Sequence, residues 1–173
     1  MAIQGEYLGM PIAIEDVDGE YQAFFQHCAR HELHLQCCDA CGLIRYPLTT
    51  ACPFCAEPES TWKPVSGKGT LYSYGEVHHV IQPVFRAHSP YLLLLVELDE
   101  QRGEPNEFDG LRISGNLVTD SGELAPPELV EQVGIGTRLR IVFADAGEGI
   151  AIPQWTIDEE AEQPASPWRY PET

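Results

Sequence analysis

The stretch from Cys38 to Cys55, CDACGLIRYPLTTACPFC, decides the fold because it contains two CxxC pairs separated by ten residues. A CxxC turn lets two thiolates approach one ion, and Gly42 relieves crowding behind the first pair. Two such turns on opposing loops supply four soft ligands in a tetrahedron, the arrangement that Zn²⁺ prefers. We therefore predict a structural zinc site whose ligands are Cys38, Cys41, Cys52 and Cys55.

Three other uses of these cysteines compete with structural zinc. A rubredoxin-type iron would take the same four thiolates, so the choice between zinc and iron stays open. A redox-active CxxC expects a thioredoxin-like βαβ setting, which the pattern lacks. Catalytic zinc needs an open coordination position, and four thiolates leave none. Cys37 has the wrong spacing for a ligand, and Cys28 is predicted to lie in the core.

The segment that contains the cysteines is neutral, whereas the rest of the chain is strongly acidic. The whole sequence carries 27 acidic and 10 basic side chains, a net charge of -17, but residues 36–70 hold three of each. Because phosphate contacts come from Lys and Arg, this balance counts against free-standing nucleic-acid binding and against docking on anionic lipid. The neutral segment tolerates or requires positive potential.

The segment before the cysteines has the pattern of an amphipathic helix. From Asp18 to about Leu35, apolar residues recur at spacings of three and four: Tyr21, Phe24, Phe25 and Cys28. Asp18 is placed to accept amide hydrogen bonds at the start of this helix. We also expect a short lead-in before it, with a helical turn of its own.

The segment after the cysteines has the pattern of strands. Tyr, Val, Leu and Ile recur in five runs: 70–80, 91–98, 111–118, 138–143 and 149–155. One helical interruption is expected over 126–133. Five strands in about 90 residues favour a small Greek-key barrel. The acidic, proline-rich tail from Asp158 onward is predicted to be an extended or flexible arm.

The cellular compartment is predicted from the lack of a membrane-spanning run and of a secretory signal in the sequence. The longest apolar run, 91–96, is far shorter than the roughly 20 residues that span a bilayer. Met1–Met10 has no basic residue ahead of an apolar stretch, unlike a secretory signal. We therefore expect a cytoplasmic protein without membrane contact, in which six cysteines indicate metal or catalysis before disulfides.

Taken in order, the motifs resemble those of a known family. The helix runs into His31-Glu-Leu-His-Leu-Gln-Cys-Cys, and Arg45-Tyr-Pro, Cys52-Pro-Phe-Cys55 and Trp62-Lys-Pro-Val-Ser-Gly-Lys-Gly follow. The set continues through Ser89-Pro-Tyr91, Val96-Glu-Leu-Asp99, Gly134-Ile-Gly-Thr and Val142-Phe143. Over roughly residues 11–157 the chain resembles the DUF35 family. It departs from the family at Phe24-Phe25, where a Trp is usual, and at Leu48-Thr-Thr, where a second Pro and an Arg are common.

The resemblance implies a β-rich α+β fold with an N-terminal helix or helices, a rubredoxin-like zinc ribbon and a five-stranded OB-fold barrel. The boundaries expected on this basis are 1–35 for the helical segment, 36–66 for the ribbon, 67–157 for the barrel and 158–173 for the tail. Family members are accessory subunits of thiolase-superfamily enzymes that make or break carbon–carbon bonds. The resemblance thus implies a hetero-oligomer with a thiolase-like or SCP2-thiolase-type partner and acyl-CoA as ligand, the chain itself carrying no catalytic residue.

Acyl-CoA is multiply anionic, so its site needs positive side chains near rigid backbone. The candidates lie in or beside the neutral segment and in the loop 81–90, which is apolar and aromatic for a loop. We expect this loop to contact the partner enzyme or the acyl chain. The candidate residues for acyl-CoA or partner contact are Arg45, Lys63, Lys68, Phe85 and Arg86.

Two other functions compete with the accessory role. Zinc ribbons and OB-folds both host single-stranded nucleic-acid binding, with Tyr72, Tyr74 and Phe85 available to stack bases. A free-standing enzyme would use the histidines that flank the loop 81–90, although no carboxylate or cysteine stands at a legible spacing from them. Those histidines are His78, His79 and His88.

Overall fold

The computed structural model describes residues 2–15 and 19–171. The chain begins with a β-hairpin, β1 (Ile3–Tyr7) and β2 (Met10–Ile14). Leu8 and Gly9, with φ of 51° and 79°, make the two-residue turn in which both central residues are left-handed. The expected helical turn in this lead-in is therefore wrong. Alternation of apolar residues with period two, rather than helical periodicity, governs the segment.

Helix α1 (Gly19–Cys28) follows the hairpin and buries Phe24 and Cys28. It stops well before Leu35, because His31 adopts a left-handed conformation with φ of 58°. The predicted helix is confirmed with a shorter C-terminal end. The predicted cap at Asp18 lies outside the described residues.

The cysteine-rich segment forms a three-stranded antiparallel sheet. Its strands are β3 (His34–Cys38), β4 (Ile44–Arg45) and β5 (Ser60–Pro64), in the order β4-β3-β5. The turn between β3 and β4 carries the first CxxC pair, and the connection from β4 to β5 carries the second. This sheet is the zinc ribbon that the cysteine spacing predicts.

The remaining strands form the five-stranded sheet of an OB-fold, as predicted. Its order is β10-β9-β6-β7-β8, and a single parallel bridge between Leu117 and Trp155 joins the two edges. A short helix α2 (Pro127–Val130) stands between β8 and β9, where the helical interruption was expected. The strands are β6 (Lys68–Val77), β7 (Tyr91–Leu98), β8 (Arg112–Asn116), β9 (Arg138–Asp145) and β10 (Ala151–Ile157).

One apolar cluster connects the helix, the ribbon and the barrel. Phe24 of α1 and Leu35 of β3 belong to the same buried cluster as Leu94 and Trp155 of the barrel. Each fully buried side chain of this size stabilises the fold by about 1.5–3 kcal/mol. Because the cluster is continuous, the ribbon is held in a fixed place against the barrel.

The C-terminal segment packs on the barrel, in contrast to the flexible arm that its composition predicts. The backbones of Ile135 and Trp168 exchange hydrogen bonds of 2.7 and 3.2 Å. Arg169 donates to the carbonyl oxygen of Val130 at 2.6 Å, and the Tyr170 ring lies 5.2 Å from that of Tyr74. Aromatic and backbone contacts fix the segment despite its acidic composition. Within the described ranges, no helix has the length and apolarity needed to cross a bilayer.

Candidate metal centre and partner surface

The four predicted cysteine ligands come together at the tip of the ribbon. All four Sγ atoms lie within 4.8 Å of one another, with 3.5 Å between Cys38 and Cys55 and 3.7 Å between Cys41 and Cys52. A tetrahedral Zn²⁺ with bonds of about 2.3 Å separates its sulfurs by about 3.8 Å. The donor set therefore fits one zinc ion, and closes it to water.

The two CxxC turns have the same backbone geometry. The amide of Gly42 donates to the carbonyl oxygen of Cys38, and the amide of Ala56 donates to that of Cys52, both at 2.9 Å. Gly42 and Ala56 are both left-handed, with φ of 77° and 64°. This conformation turns the chain so that both cysteines of a pair face one point.

Backbone amides also prepare the thiols for metal binding, which requires thiolates. The amide N–H of Cys41, 3.5 Å from the Cys38 Sγ, lowers the pKa of Cys38. Burial raises the pKa of Cys52, but the amides of Phe54 and Cys55 with the neighbouring thiols outweigh it and bring that pKa to about 6. The loops thus favour the charged form at the first cysteine of each pair. At Cys55 the amide of Glu57 lowers the pKa, but the neighbouring thiols and burial outweigh it and raise that pKa to about 12, and the pKa of Cys41 is raised as well.

The other two cysteines lie outside this cluster. The Cys37 Sγ donates to the carbonyl oxygen of Gly42 at 3.3 Å, on the other side of strand β3 from the ligands. Cys28 is fully buried, and its burial raises the pKa of this thiol to about 12. A protonated thiol in the apolar core is a packing residue.

Arg45 does not reach the surface. Its side chain is buried and donates to Gln36 Oε1 at 3.1 Å, to the carbonyl oxygen of Thr49 at 3.0 Å and to Ser60 Oγ at 3.3 Å. These bonds tie β4 to β3, to the loop that leads to the second CxxC pair, and to β5. Arg45 was a candidate for acyl-CoA or partner contact; its Nε and Nη2 atoms serve the interior of the ribbon, and its Nη1 atom is buried without a hydrogen-bond partner among the described residues.

The other three basic candidates lie on separate elements. Lys68, at the start of β6, forms ion pairs with Asp158 at 3.1 Å and Glu160 at 3.6 Å, which raise its pKa. Lys63 on β5 and Arg86 in the loop 81–90 are exposed. Lys68 therefore fastens the tail to the barrel, although its side chain is 41% exposed. Lys63 and Arg86 are the exposed basic candidates for which no ion pair is found among the described residues.

The loop 81–90 packs an aromatic ring against neighbouring residues and exposes an apolar side chain at its first residue. The Phe85 ring lies 5.2 Å from that of Tyr91 and 6.4 Å from that of Tyr7 in the N-terminal hairpin. Ile81 at the start of the loop is 86% exposed. Sequence patterns gave no sign of the contribution of Tyr7, because the contact joins residues far apart in the chain.

A groove of about 620 Å³ lies beside this loop, between strand β6, helix α2 and the C-terminal segment. Arg169 crosses its floor and pairs with Glu76 at 3.3 Å. With Glu76 and Glu131 in its walls, the groove is a poor site for phosphate groups. Its lining includes Tyr74, His78, Pro90, Val130 and Tyr170.

Comparison with known proteins agrees with this architecture. The family described as the ChsH2 C-terminal OB-fold domain matches residues 62–144. A DUF35 domain-containing scaffold protein of Methanocaldococcus jannaschii is 33% identical over 107 residues, 61% of this chain and 63% of the relative. A solved structure described as an Ltp2-ChsH2(DUF35) aldolase matches with a TM-score of 0.64 and 26% identity, over 83% of this chain and 98% of that one. In sequence and in fold, the chain is similar to these DUF35 proteins.

A probable enoyl-CoA hydratase alpha subunit of Thermomonospora curvata is 29% identical to this chain over 130 residues. The match covers 75% of the present chain but 35% of the relative. The chain thus spans about a third of the length of this relative, and 63% of the Methanocaldococcus scaffold protein.

The histidines that flank the loop 81–90 form no catalytic set in the described residues. His78 is exposed, and its Nε2 lies 3.3 Å from a Glu76 carboxylate oxygen. The four clustered cysteines carry thiols, which are potential nucleophiles, but a zinc ion bound to all four would occupy every sulfur. A free-standing enzyme built on His78, His79 or His88 finds no support in this arrangement.

Proposed function

We propose that this chain is a non-catalytic subunit that binds a thiolase-superfamily enzyme and helps to form its acyl-CoA site. The observation that carries the proposal is the shared ribbon-and-barrel fold with the chain of the Ltp2-ChsH2(DUF35) aldolase, over 98% of that chain. Carbon–carbon bond formation or cleavage next to a thioester would belong to the partner. The zinc ion would fix the ribbon, and the barrel would present the loop 81–90.

The surface around the loop 81–90 supports a protein partner. The exposed Ile81 and the half-buried Phe85 present apolar area on an ordered base, the kind of anchor that dominates binding energy in protein interfaces. In the acyl-CoA complex, Arg86 and Lys63 would supply positive charge for the phosphates of CoA. Arg45 and Lys68 would act only through the ribbon and its junction with the barrel.

Nucleic-acid binding is disfavoured by the aromatic residues themselves. The guanidinium of Arg112 lies 3.6 Å from the centre of the Tyr72 ring, and Tyr74 is buried beneath Tyr170. Tyr74 is therefore covered, and the guanidinium of Arg112 occupies one face of Tyr72, which is 44% exposed. The net charge of -17 adds repulsion to the phosphate backbone.

The partner proposal is tested by co-expression with a candidate thiolase-superfamily protein from the same organism, followed by size-exclusion chromatography with mass determination. We expect a hetero-oligomer, and an Ile81→Glu variant whose partner Kd is at least about tenfold weaker, since a charge replaces an apolar anchor. Phe108→Glu is the matched control, because Phe108 is 75% exposed on the loop at the opposite end of strand β7. Two separate species in solution, or equal weakening by both variants, would count against the proposal.

A further inference from the structure

The end of helix α1 has a backbone geometry that gathers polar side chains. The amide of His31 donates to the carbonyl oxygen of Cys28 at 2.8 Å, and the amide of Glu32 donates to that of His27 at 3.2 Å. With His31 left-handed, these are the two bonds of a Schellman motif, in which glycine is the usual residue at the left-handed position. The motif places Glu32 beside His27, and strand β3 begins two residues later with His34.

Three potential metal ligands meet at this turn. One donor atom each of His27, Glu32 and His34 lies within 4.8 Å of the other two. The His27 and His34 rings are stacked with their centres 4.0 Å apart, so one ring must rotate before both lone pairs can point at one ion. The arrangement is set by the helix end, the turn and the first residue of a strand.

His34 supplies a second, independent observation. Its Nδ1 atom is buried and has no hydrogen-bond partner among the described residues. The nearest carboxylate oxygen, Glu32 Oε2, is 3.8 Å away, too far for a hydrogen bond. Metal–nitrogen and metal–oxygen bonds of about 2.0–2.2 Å can span that gap with an ion between the two atoms.

We propose that His27, Glu32 and His34 bind one divalent transition-metal ion of borderline character, at a site separate from the four-cysteine cluster. Two imidazoles and one carboxylate suit Zn²⁺, Co²⁺ or Ni²⁺ and disfavour Ca²⁺ or Mg²⁺, which take oxygen ligands. Three protein ligands leave coordination positions for water. A pocket of about 430 Å³, lined by Glu32, His34, Phe143 and neighbouring residues, gives the ion a path from solvent.

Arg30 competes with the metal for the same ligands. Its guanidinium lies 2.8 Å from His27 Nδ1 and 3.5 Å from Glu32 Oε2. Because arginine has no acceptor, this nitrogen of His27 accepts the hydrogen bond and holds its lone pair toward the guanidinium. A metal ion that binds this nitrogen must displace Arg30, an exposed side chain that also donates to the carbonyl oxygen of Gln26 at 2.9 Å.

The first test is metal stoichiometry of the full chain purified with zinc on its four cysteines and equilibrated with excess Zn²⁺. We expect the wild-type protein to bind a second equivalent of Zn²⁺. In His27→Ala and in His34→Ala, the affinity for this second ion should fall by more than the roughly 10–100-fold that is typical when a residue that only hydrogen-bonds to a metal ligand is lost. His78→Ala is the matched control, a histidine near a carboxylate outside the cluster, and should keep both equivalents. A single equivalent in the wild-type protein, or two in the double variant His27→Ala/His34→Ala, overturns the proposal.

A second measurement does not depend on the histidine variants folding. Co²⁺ added to the zinc-loaded wild-type chain should give weak visible bands without a sulfur-to-cobalt charge-transfer band. It should also quench Trp62, whose ring lies 5.6 Å from that of His27. Arg30→Gln should tighten Co²⁺ binding on the order of tenfold, because an exposed ion pair and a hydrogen bond no longer compete. A thiolate charge-transfer band for the added ion, or unchanged affinity in Arg30→Gln, contradicts the assignment.

Discussion

Arg45 is a buried cation whose partners are neutral oxygens. The side chain is 2% exposed and donates to an amide oxygen, a carbonyl oxygen and a hydroxyl of the ribbon. A buried charge persists only when its hydrogen bonds offset the cost of leaving water. The guanidinium is therefore a structural crosslink of three ribbon segments.

Arg45→Ala should lower the free energy of unfolding by about 2–4 kcal/mol, because it removes charge-assisted hydrogen bonds and leaves buried acceptors unpaired. Urea unfolding of the zinc-loaded chain measures the change. Lys63→Ala, on the exposed side of the same sheet, should change stability by less than about 0.5 kcal/mol. Equal effects of the two substitutions would show that Arg45 does not hold the ribbon together.

The structural role of a buried polar residue such as Arg45 could not be predicted from the sequence. The cysteine ligands could be assigned because their spacing is local and four-fold sulfur coordination is specific to it. Arg45 has the same sequence context as a solvated arginine, and only the folded ribbon shows its three acceptors. The Tyr7–Phe85 contact and the cluster of His27, Glu32 and His34 depend in the same way on how separate segments meet.

At the scale of elements, the barrel strands were predictable and the connections were not. The apolar run of β7 and the alternation in β9 follow directly from burial on the pleated sheet. The N-terminal hairpin was mistaken for a helical lead-in, since its alternating pattern is short and ends in an uncommon Leu-Gly turn. The tail was expected to be flexible from its charge, but a few aromatic and arginine contacts outweigh that composition.

One connection should give the fold a measurable pH dependence. Hydrogen bonds from Arg138 on β9 to Asp99, after β7, lower the pKa of that carboxyl below 3.8 despite partial burial. The folded state therefore favours the ionised form. This contribution is complete above the unfolded pKa and is lost as the pH falls through the folded value.

We expect the urea midpoint of the wild-type chain to fall more steeply than that of Asp99→Asn between about pH 5 and pH 3. Glu159→Gln, an exposed carboxyl in the tail, is the control and should follow the wild-type curve. Loss of zinc at acidic pH affects all three chains alike, so the difference between curves isolates Asp99. Parallel curves for the wild type and Asp99→Asn would contradict the linkage.

At the scale of the whole molecule, the ribbon and the barrel are one cooperative unit. Phe24 and Leu35 join the barrel residues in a continuous apolar cluster. The two CxxC loops lie at the tip of the ribbon, so we expect their conformation to depend on the ion that the four cysteines would hold. Loss of that ion should consequently weaken packing far from the sulfurs.

The Cys52→Ser variant should bind one metal ion fewer than the wild-type chain. Its barrel should also unfold at a lower temperature, which is measured by the near-ultraviolet circular dichroism of the fully buried Trp155. The reason is that binding free energy of a structural metal is folding free energy, and the shared core transmits it. Cys37→Ser is the matched control: this buried cysteine neighbours Cys38, but its thiol contacts the carbonyl oxygen of Gly42 rather than the ion. It should retain the metal and lose at most about 1 kcal/mol. A Cys52→Ser chain whose barrel unfolds at the wild-type temperature would show that the ribbon and the barrel are energetically independent, and the zinc ion could not then position the barrel for a partner.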